Sequence, residues 1–343
     1  MTTQPQSDSS RPDDIIVVAD ELDDSPQSGG SLRPYLELVR APAVFTALAD
    51  VLLGFFFAYR HLFHWGMAYL PPWGLLATLL GASALLYMAG MVLNDYFDAG
   101  VDARERPRRP IPSGRVSRAA AGRIGGLMLL GGVALGWLAI IQAGNFRPGI
   151  VATGLAAAVL LYDAWLKNTP AGPLGMGACR MLNVLLGMSA AAEAFEATHY
   201  VLAGGVGVYI VGVSLFARRE AESSSPIVLA AAMAVMAAGI GLIAWFPSWA
   251  DEAGLGLALP ASKVALWQQF MLLLGLLILY RCLMAILNRG QPRYVQMAVA
   301  HCLRSLIVLD AFACLAVAGI IPAIAIFALL VPAFVLGRWL YST

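Results

Sequence analysis

Apolar segments long enough to cross a lipid bilayer recur along the sequence from about residue 43 onward. A helix needs about 20 apolar residues to cross the hydrocarbon core, and it satisfies its own backbone hydrogen bonds there. With 59% hydrophobic and only 13% charged residues, the chain has more apolar surface than a soluble domain requires. We therefore expect an all-α polytopic membrane protein. The predicted spans are 43–60, 73–97, 119–143, 148–166, 172–192, 200–217, 226–246, 264–287, 296–318 and 321–339.

Positive charges lie mainly on one side of these spans. The loop from 98 to 123 carries seven arginines, whereas the basic residues on the opposite side are Arg60, Arg147 and Lys263. Cytoplasmic loops of membrane proteins are enriched in lysine and arginine. We therefore predict that the 98–123 loop and both termini face the cytoplasm.

The first 32 residues differ from the rest of the chain. Residues 1–32 contain seven acidic residues and one base, Arg11, among Pro, Ser, Gln and Gly. Low hydrophobicity with high net charge is typical of disordered segments. No basic stretch leads into an apolar run, so this segment is not predicted to be a signal peptide. The prediction is a disordered acidic cytoplasmic tail at 1–32 and a transmembrane domain at 33–343.

A cluster of oxygen-bearing side chains closes the second predicted span. Asn94, Asp98 and Asp102 recur every four residues, which predicts that they share one face of a continuing helix, with Asp95 one turn from Asp98. Carboxylate and amide oxygens suit a hard divalent cation, Mg2+ above all. The sequence therefore predicts that these four residues bind Mg2+. At the mouth of a membrane bundle, such an ion is suited to holding the phosphates of a lipid.

A basic turn follows this cluster. It begins with Arg104 and Arg106, which offer an alternative interpretation in which Asp98 and Asp102 form ion pairs at the helix end without any metal. It continues as Arg-Pro-Ile-Pro-Ser-Gly over residues 109–114.

The pattern Asn-Asp-x-x-Asp-x-x-x-Asp, followed by this turn, resembles the first aspartate-rich motif of the UbiA superfamily of intramembrane prenyltransferases. The resemblance implies a bundle of about nine to ten transmembrane helices with a lipid-open cavity. It implies that aspartate-bound Mg2+ holds the diphosphate of a polyprenyl donor. The prenyl group then passes to a small hydrophobic or aromatic acceptor. Asp98 and Asp102 would be catalytic, and Arg109 would bind substrate.

A second group of candidate site residues lies at the end of the fourth predicted span. Members of the superfamily often carry a tyrosine here and, five residues on, a lysine, which Tyr162 and Lys167 match. The resemblance implies that both bind substrate and that Lys167 contacts phosphate during catalysis. Two alternatives remain open for Lys167: its side chain extends from a helix end to water, or it pairs with Asp163, four residues earlier.

Two polar residues, Arg180 and Asn183, lie inside the fifth predicted span. An arginine within a membrane segment usually has a function. We predict that both residues face the cavity and bind phosphate oxygens. The competing interpretation is interhelical pairing, with Asp50 or Asp310 as the partner.

The region after the sixth span departs from the superfamily pattern, which usually has a second Asp-x-x-x-Asp motif there. This chain has Arg218, Arg219, Glu220 and Glu222 instead. On a helix the two glutamates, spaced two residues apart, point in different directions. This spacing does not match a two-metal arrangement, and we predict that Arg218 binds phosphate directly.

An allylic cation has to be shielded from water and is stabilised by aromatic faces. The aromatic candidates at suitable positions are Tyr87, Tyr96, Phe97 and Tyr162.

Three functions are compatible with these features. The first is Mg2+-dependent prenyl transfer in the biosynthesis of quinones, chlorophyll, haem or related lipids. The second is transfer of a phosphosugar onto polyprenyl phosphate, and the third is non-catalytic binding or carriage of prenyl lipids. No nucleotide-binding or nucleic-acid-binding motif is present in the sequence.

Overall fold

A computed structural model describes residues 32–64, 71–191, 193–218 and 225–341. This part of the chain is helical and contains no β-strand. The predicted tail at 1–32 lies, except for Leu32, outside the described residues. The helices are α1 (Arg33–Leu38), α2 (Val44–Ala58), α3 (Arg60–His64), α4 (Trp73–Glu105), α5 (Arg118–Ala143), α6 (Arg147–Ala164), α7 (Gly172–Met188), α8 (Ala197–Ala217), α9 (Pro226–Glu252), α10 (Val264–Leu287), α11 (Pro292–Ala318), α12 (Ile320–Phe327) and α13 (Leu330–Tyr341).

All ten predicted spans coincide with helices. Within the described residues, eight segments are long and apolar enough to cross a membrane. The fourth and fifth predicted spans are α6 and α7, which have 18 and 17 residues and are not among these eight. The last span is divided into α12 and α13. The all-α polytopic membrane fold is therefore confirmed.

Helix α4 extends well beyond the apolar segment that predicted it. It starts after Pro72 and continues without a break to Glu105, so the aspartate cluster lies on its last turns. The helix ends at Arg106, whose backbone leaves the helical region (φ −140°, ψ 59°). Pro107 follows Arg106 and disfavours helical backbone at the preceding residue, which explains this end point.

The basic turn after α4 is held against the bundle by a small apolar cluster. Ile111 and Val116 are buried there with Leu38, Val39 and Val92. The turn also closes through a hydrogen bond in which the Val116 amide donates to the Pro110 carbonyl oxygen at 3.0 Å. This packing holds Arg109 beside the end of α4.

Helices α2 and α7 cross at closely apposed glycines. A Cβ atom on Gly54 would overlap the backbone of Val184, and one on Gly187 would overlap the backbone of Val51. Small residues allow helix backbones to approach closely. In lipid, van der Waals packing rather than the hydrophobic effect holds helices together. The close crossing brings the polar residues of α7 next to those of α2, deep inside the bundle.

Candidate active site

Asn94 and Asp98 of α4 converge on one cation. The Lys167 ammonium lies 2.7 Å from Asp98 Oδ1 and donates to Asn94 Oδ1 at 3.0 Å. Lys167 lies in the short helical turn after α6, so this contact joins the ends of α4 and α6. Its side chain is 10% exposed, which places the charge in a partly desolvated position. In the described part of the chain, Lys167 forms no ion pair with Asp163, the alternative considered from the sequence.

Asp95 and Asp102 converge on a second cation. One terminal nitrogen of Arg109 lies 3.2 Å from Asp95 Oδ1 and 2.7 Å from Asp102 Oδ2. Asp102 thus shares its basic partner with Asp95, whereas Asn94 and Asp98 share Lys167. Each four-residue step turns a helix by about 40° beyond a full turn, whereas a seven-residue step comes within about 20° of two turns. Asp102 therefore lies nearer to the face of Asp95.

Arg40, which the sequence analysis did not identify as a site residue, completes the cluster. It contacts Asp95 Oδ1 at 3.3 Å from the segment before α2. Its backbone is left-handed (φ 48°, ψ 51°), a conformation that is costly for a residue with a Cβ and that often marks a functional position. No spacing rule connects Arg40 with a residue 55 positions away, so no sequence signal was available.

The negative charges of the three aspartates are thus neutralised by three basic side chains. Asp98 and Asp102 do not pair with Arg104 and Arg106, the alternative considered from the sequence; their partners are Lys167 and Arg109. Within the described residues, no group of three or more His, Cys, Asp or Glu side chains is arranged to hold a metal ion. Binding of one Mg2+ by all four predicted ligands therefore stays a prediction.

A cavity of about 170 Å³ lies next to this cluster, between α2, α4, α6 and α7. Leu86, Leu155, Val159 and Met176 form part of its apolar wall, and Tyr162 also faces it. Arg40 and Asn94 line the end nearest to the aspartates, so the cavity opens from an apolar interior towards charged groups. Tyr162 thus lines the cavity, and its role in binding substrate stays a prediction.

Asp163 is the one carboxylate that lines this cavity among the described residues. The residue is 3% exposed, and its Oδ2 atom has no hydrogen-bond partner in this part of the chain. A buried carboxylate oxygen without a partner is costly, and a proton, a water molecule or a ligand in the cavity would satisfy it. The sequence analysis treated Asp163 only as a partner for Lys167. Its burial depends on packing against α4, where Gly90 leaves room in front of it.

Arg180 and Asn183 take part in a buried network with α2. Arg180 contacts Asp50 Oδ2 at 3.0 Å and donates to Thr46 Oγ1 at 2.8 Å. Asn183 donates to Asp50 Oδ2 at 3.1 Å and accepts a hydrogen bond from the Ser83 hydroxyl at 2.7 Å. The competing interpretation, pairing with Asp50, thus describes their contacts. Both residues also line the cavity, so a phosphate-binding role stays a prediction.

The structure separates the four aromatic candidates. The Arg180 guanidinium lies over the ring of Tyr87 at 5.3 Å, and that of Arg118 lies over Tyr96 at 4.8 Å. These two ring faces therefore already carry a cation. Phe97 is 40% exposed and does not line the cavity. Tyr87 and Tyr162 both line the cavity, and Tyr162 is the one of the two that has no cation over its ring in the described residues.

Arg218, at the end of α8, lies against the turn after α6. It is exposed and donates to the backbone carbonyl oxygens of Thr169 and Pro170. Its predicted phosphate contact is not tested by this position. Arg219, Glu220 and Glu222 of the degenerate second motif lie outside the described residues.

The structure therefore combines an oxygen-rich cluster and a mostly apolar cavity inside a bundle of helices long enough to cross a membrane. The chain matches the UbiA prenyltransferase family over residues 47–300, about three quarters of its length, and it belongs to that family. The predicted resemblance is confirmed.

Individual relatives agree with this assignment. Digeranylgeranylglyceryl phosphate synthase from Ignicoccus hospitalis is 34% identical over 169 residues, which cover 49% of this chain and 50% of that protein. A solved structure of a digeranylgeranylglyceryl phosphate synthase has a TM-score of 0.57 at 18% identity, covering 88% of this chain and 98% of that one. The solved structure of a UbiA homolog from Archaeoglobus fulgidus, bound to GPP and Mg2+, has a TM-score of 0.50 at 15% identity. The match covers 78% of this chain and 98% of that one. The chain spans about half or less of the length of the curated relatives it matches.

Proposed function

We propose that this protein is an intramembrane prenyltransferase that moves a polyprenyl group from a prenyl diphosphate to a lipid-precursor acceptor. The observation that carries the proposal is the continuity between the charged cluster of α4 and the apolar cavity. A prenyl diphosphate has the same two parts, an anionic head and an apolar chain. The active site faces the cytoplasm in this proposal, because the basic loop after α4 lies on the same side.

The residues of the cluster fit a divalent cation. Asn94 Oδ1 and Asp98 Oδ1 both lie within hydrogen-bond distance of one ammonium group, so two hard oxygen ligands already converge on a positive charge. Asp95 and Asp102 converge on a guanidinium in the same way. We propose that these four residues hold Mg2+ together with the donor. The ion supplies neutralisation of the diphosphate as the allylic C–O bond breaks.

Lys167, Arg109 and Arg40 would bind and orient the diphosphate. Each already neutralises an aspartate, and the cluster as a whole carries no excess charge. With Mg2+ held by the carboxylates, these side chains would be free to contact phosphate oxygens. Fixed positive groups of this kind stabilise the negative charge that develops on a leaving group.

The cavity would hold the reacting end of the prenyl chain and exclude water. Its volume of about 170 Å³ is below the roughly 300–1,000 Å³ of ordinary ligand sites. The rest of a long chain therefore has to continue towards the bilayer, as the predicted lipid-open cavity requires. Tyr162 offers a ring on this path, and aromatic faces stabilise allylic cations.

Asp163 would bind the acceptor. Its unpartnered Oδ2 accepts a hydrogen bond, so it favours an acceptor that presents an O–H or N–H group inside the cavity. An aromatic alcohol and the hydroxyl of a glyceryl lipid both meet this requirement. The relatives are named for a glyceryl phosphate lipid, which gives no support to quinone biosynthesis in particular.

The purified protein in lipid is expected to form a prenylated product that depends on Mg2+. Radiolabelled farnesyl, geranylgeranyl and longer diphosphates would be offered with a panel of phenolic and glyceryl acceptors. Product that disappears with EDTA and returns with added Mg2+ supports the proposal. Transfer of a phosphosugar to polyprenyl phosphate under the same conditions, or saturable donor binding without any product, would contradict it.

Replacement of Asp163 by asparagine is expected to raise the acceptor KM by about tenfold, because a neutral amide oxygen replaces the charged acceptor of the hydrogen bond. Binding of the donor diphosphate should change little, since Asp163 lies on the cavity side of the cluster. Initial rates at varied acceptor and fixed donor measure the effect. An equal loss of donor affinity would show that Asp163 does not act on the acceptor.

A further inference from the structure

A groove with three arginines lies between the outer faces of α10 and α11. It measures about 470 Å³, and its lining includes Arg281, Arg293, His301 and Arg304. The three arginines are exposed on the surface of the bundle. Both helices belong to apolar segments long enough to cross a membrane. Since Arg304 is 12 residues from the start of α11, it lies roughly 18 Å along that helix. Arg304 therefore borders lipid, whereas Arg293, the second residue of α11, lies at the aqueous end of the groove.

In the part of the chain that the structure describes, no carboxylate pairs with the arginines of this groove. Within the described residues, none of them forms an ion pair. The single acidic residue of α10 and α11 is Asp310, which is 0% exposed and so lies on the inner side. The Nε2 atom of His301 also has no hydrogen-bond partner in the described part of the chain. Uncompensated positive charge next to hydrocarbon is costly and requires a counter-ion.

The directions of the side chains bring two of the charges together. Side chains lean towards the N-terminus of their own helix. Because α10 and α11 are consecutive, oppositely directed spans, Arg281 leans into the membrane and Arg304 leans back towards its surface. Exposed leucines flank them, with Leu277 at 61% and Leu303 at 39% exposure. The groove thus combines converging cations with apolar edges, which matches an amphiphile with an anionic head.

We propose that this groove binds the phosphate headgroup of an anionic membrane lipid, whose acyl chains lie along the neighbouring leucines. Basic pockets between transmembrane helices are suited to such headgroups. Counting spans along the chain, the turn between α10 and α11 lies at the same end of the bundle as the aspartate cluster. The lipid site is distinct from the cavity, since the two share no lining residue, and it does not depend on the proposed reaction.

Native mass spectrometry of the delipidated protein tests this site. Phosphatidylglycerol and phosphatidylcholine with identical acyl chains would be titrated separately, and phosphatidylglycerol is expected to bind in preference. Each of Arg281→Gln and Arg304→Gln should weaken phosphatidylglycerol binding by about fivefold, and the double variant by roughly thirtyfold. The pair Arg281→Lys and Arg304→Lys keeps the charge and should retain most of the affinity.

The matched control is the pair Arg289→Gln and Arg338→Gln, two exposed arginines that do not line the groove. It removes the same charge from the same end of the bundle and should bind phosphatidylglycerol as the unmodified protein does. Equal losses in the control and in the groove pair would assign the effect to surface potential and overturn the site. Equal binding of the two lipids, or unchanged affinity in the glutamine pair, would overturn it as well. A lysine pair as weak as the glutamine pair would refute recognition by charge.

Discussion

Replacement of Asp98 by asparagine is expected to lower kcat/KM for prenyl transfer by about a hundredfold to a thousandfold, the range observed when one electrostatic contact to a transition state is removed. Asp98 is the partly exposed carboxylate of the cluster, with 29% of its side chain accessible, so it can reach a bound ion. Asparagine keeps the shape and one oxygen but loses the charge. The loss should appear mainly in kcat, measured with saturating donor and varied Mg2+.

A suitable control is Glu105→Gln, which removes a carboxylate from the last turn of the same helix. Glu105 is exposed and does not line the cavity, but it borders the outer groove that Asp95 and Arg109 also line, and it forms no ion pair with the cluster in the described residues. Its replacement should leave turnover within about twofold, because screened surface charges contribute little. If both variants lose activity equally, the effect comes from the general charge of this membrane end. If Asp98→Asn keeps full activity, the proposed metal site is wrong.

Replacement of Arg180 by glutamine is expected to destabilise the protein by about 3–5 kcal/mol, the usual cost of removing one partner from a buried ion pair. Its partner Asp50 is 0% exposed, and Asp50 Oδ1 has no hydrogen-bond partner in the described residues. Loss of the guanidinium would leave this carboxylate uncompensated at the crossing of α2 and α7. The change in stability is measured by thermal unfolding in detergent. The readout is the fraction of the protein that stays folded and monodisperse at each temperature.

The double variant Asp50→Asn with Arg180→Gln separates this effect from simple loss of packing. It removes both charges, so we expect it to be less destabilised than the sum of the two single variants. Strict additivity would show that the two residues do not interact as a pair. If Arg180→Gln instead unfolds at the normal temperature but binds donor diphosphate weakly, the predicted phosphate role of Arg180 would replace the structural one.

These two predictions concern charges with different surroundings. The cluster at the end of α4 is partly open, with three aspartates and three cations that can exchange partners when a ligand enters. The network around Asp50 is closed and joins α2 to α7 through Arg180 and Asn183. Activity should therefore depend on the first, and stability on the second.

Hydropathy and residue spacing alone determined the class of this protein. The long apolar runs required membrane helices because lipid offers no other partner for the backbone. The spacing from Asn94 to Asp102 and the following turn identified the family, since both are local in sequence. The family resemblance implied that Tyr162 binds substrate, and in the structure Tyr162 lines the cavity.

Only the tertiary structure decided which charged groups meet. Arg40 reaches Asp95 across 55 positions, and Arg180 reaches Asp50 across 130. Asp163 became the carboxylate of the cavity through the packing of α6 against α4. Helical periodicity states which residues share a face of one helix, but not which faces of different helices come into contact. Those contacts depend on crossing angles and close approaches, such as that between Gly54 and Gly187, which arise from side-chain packing over the whole bundle.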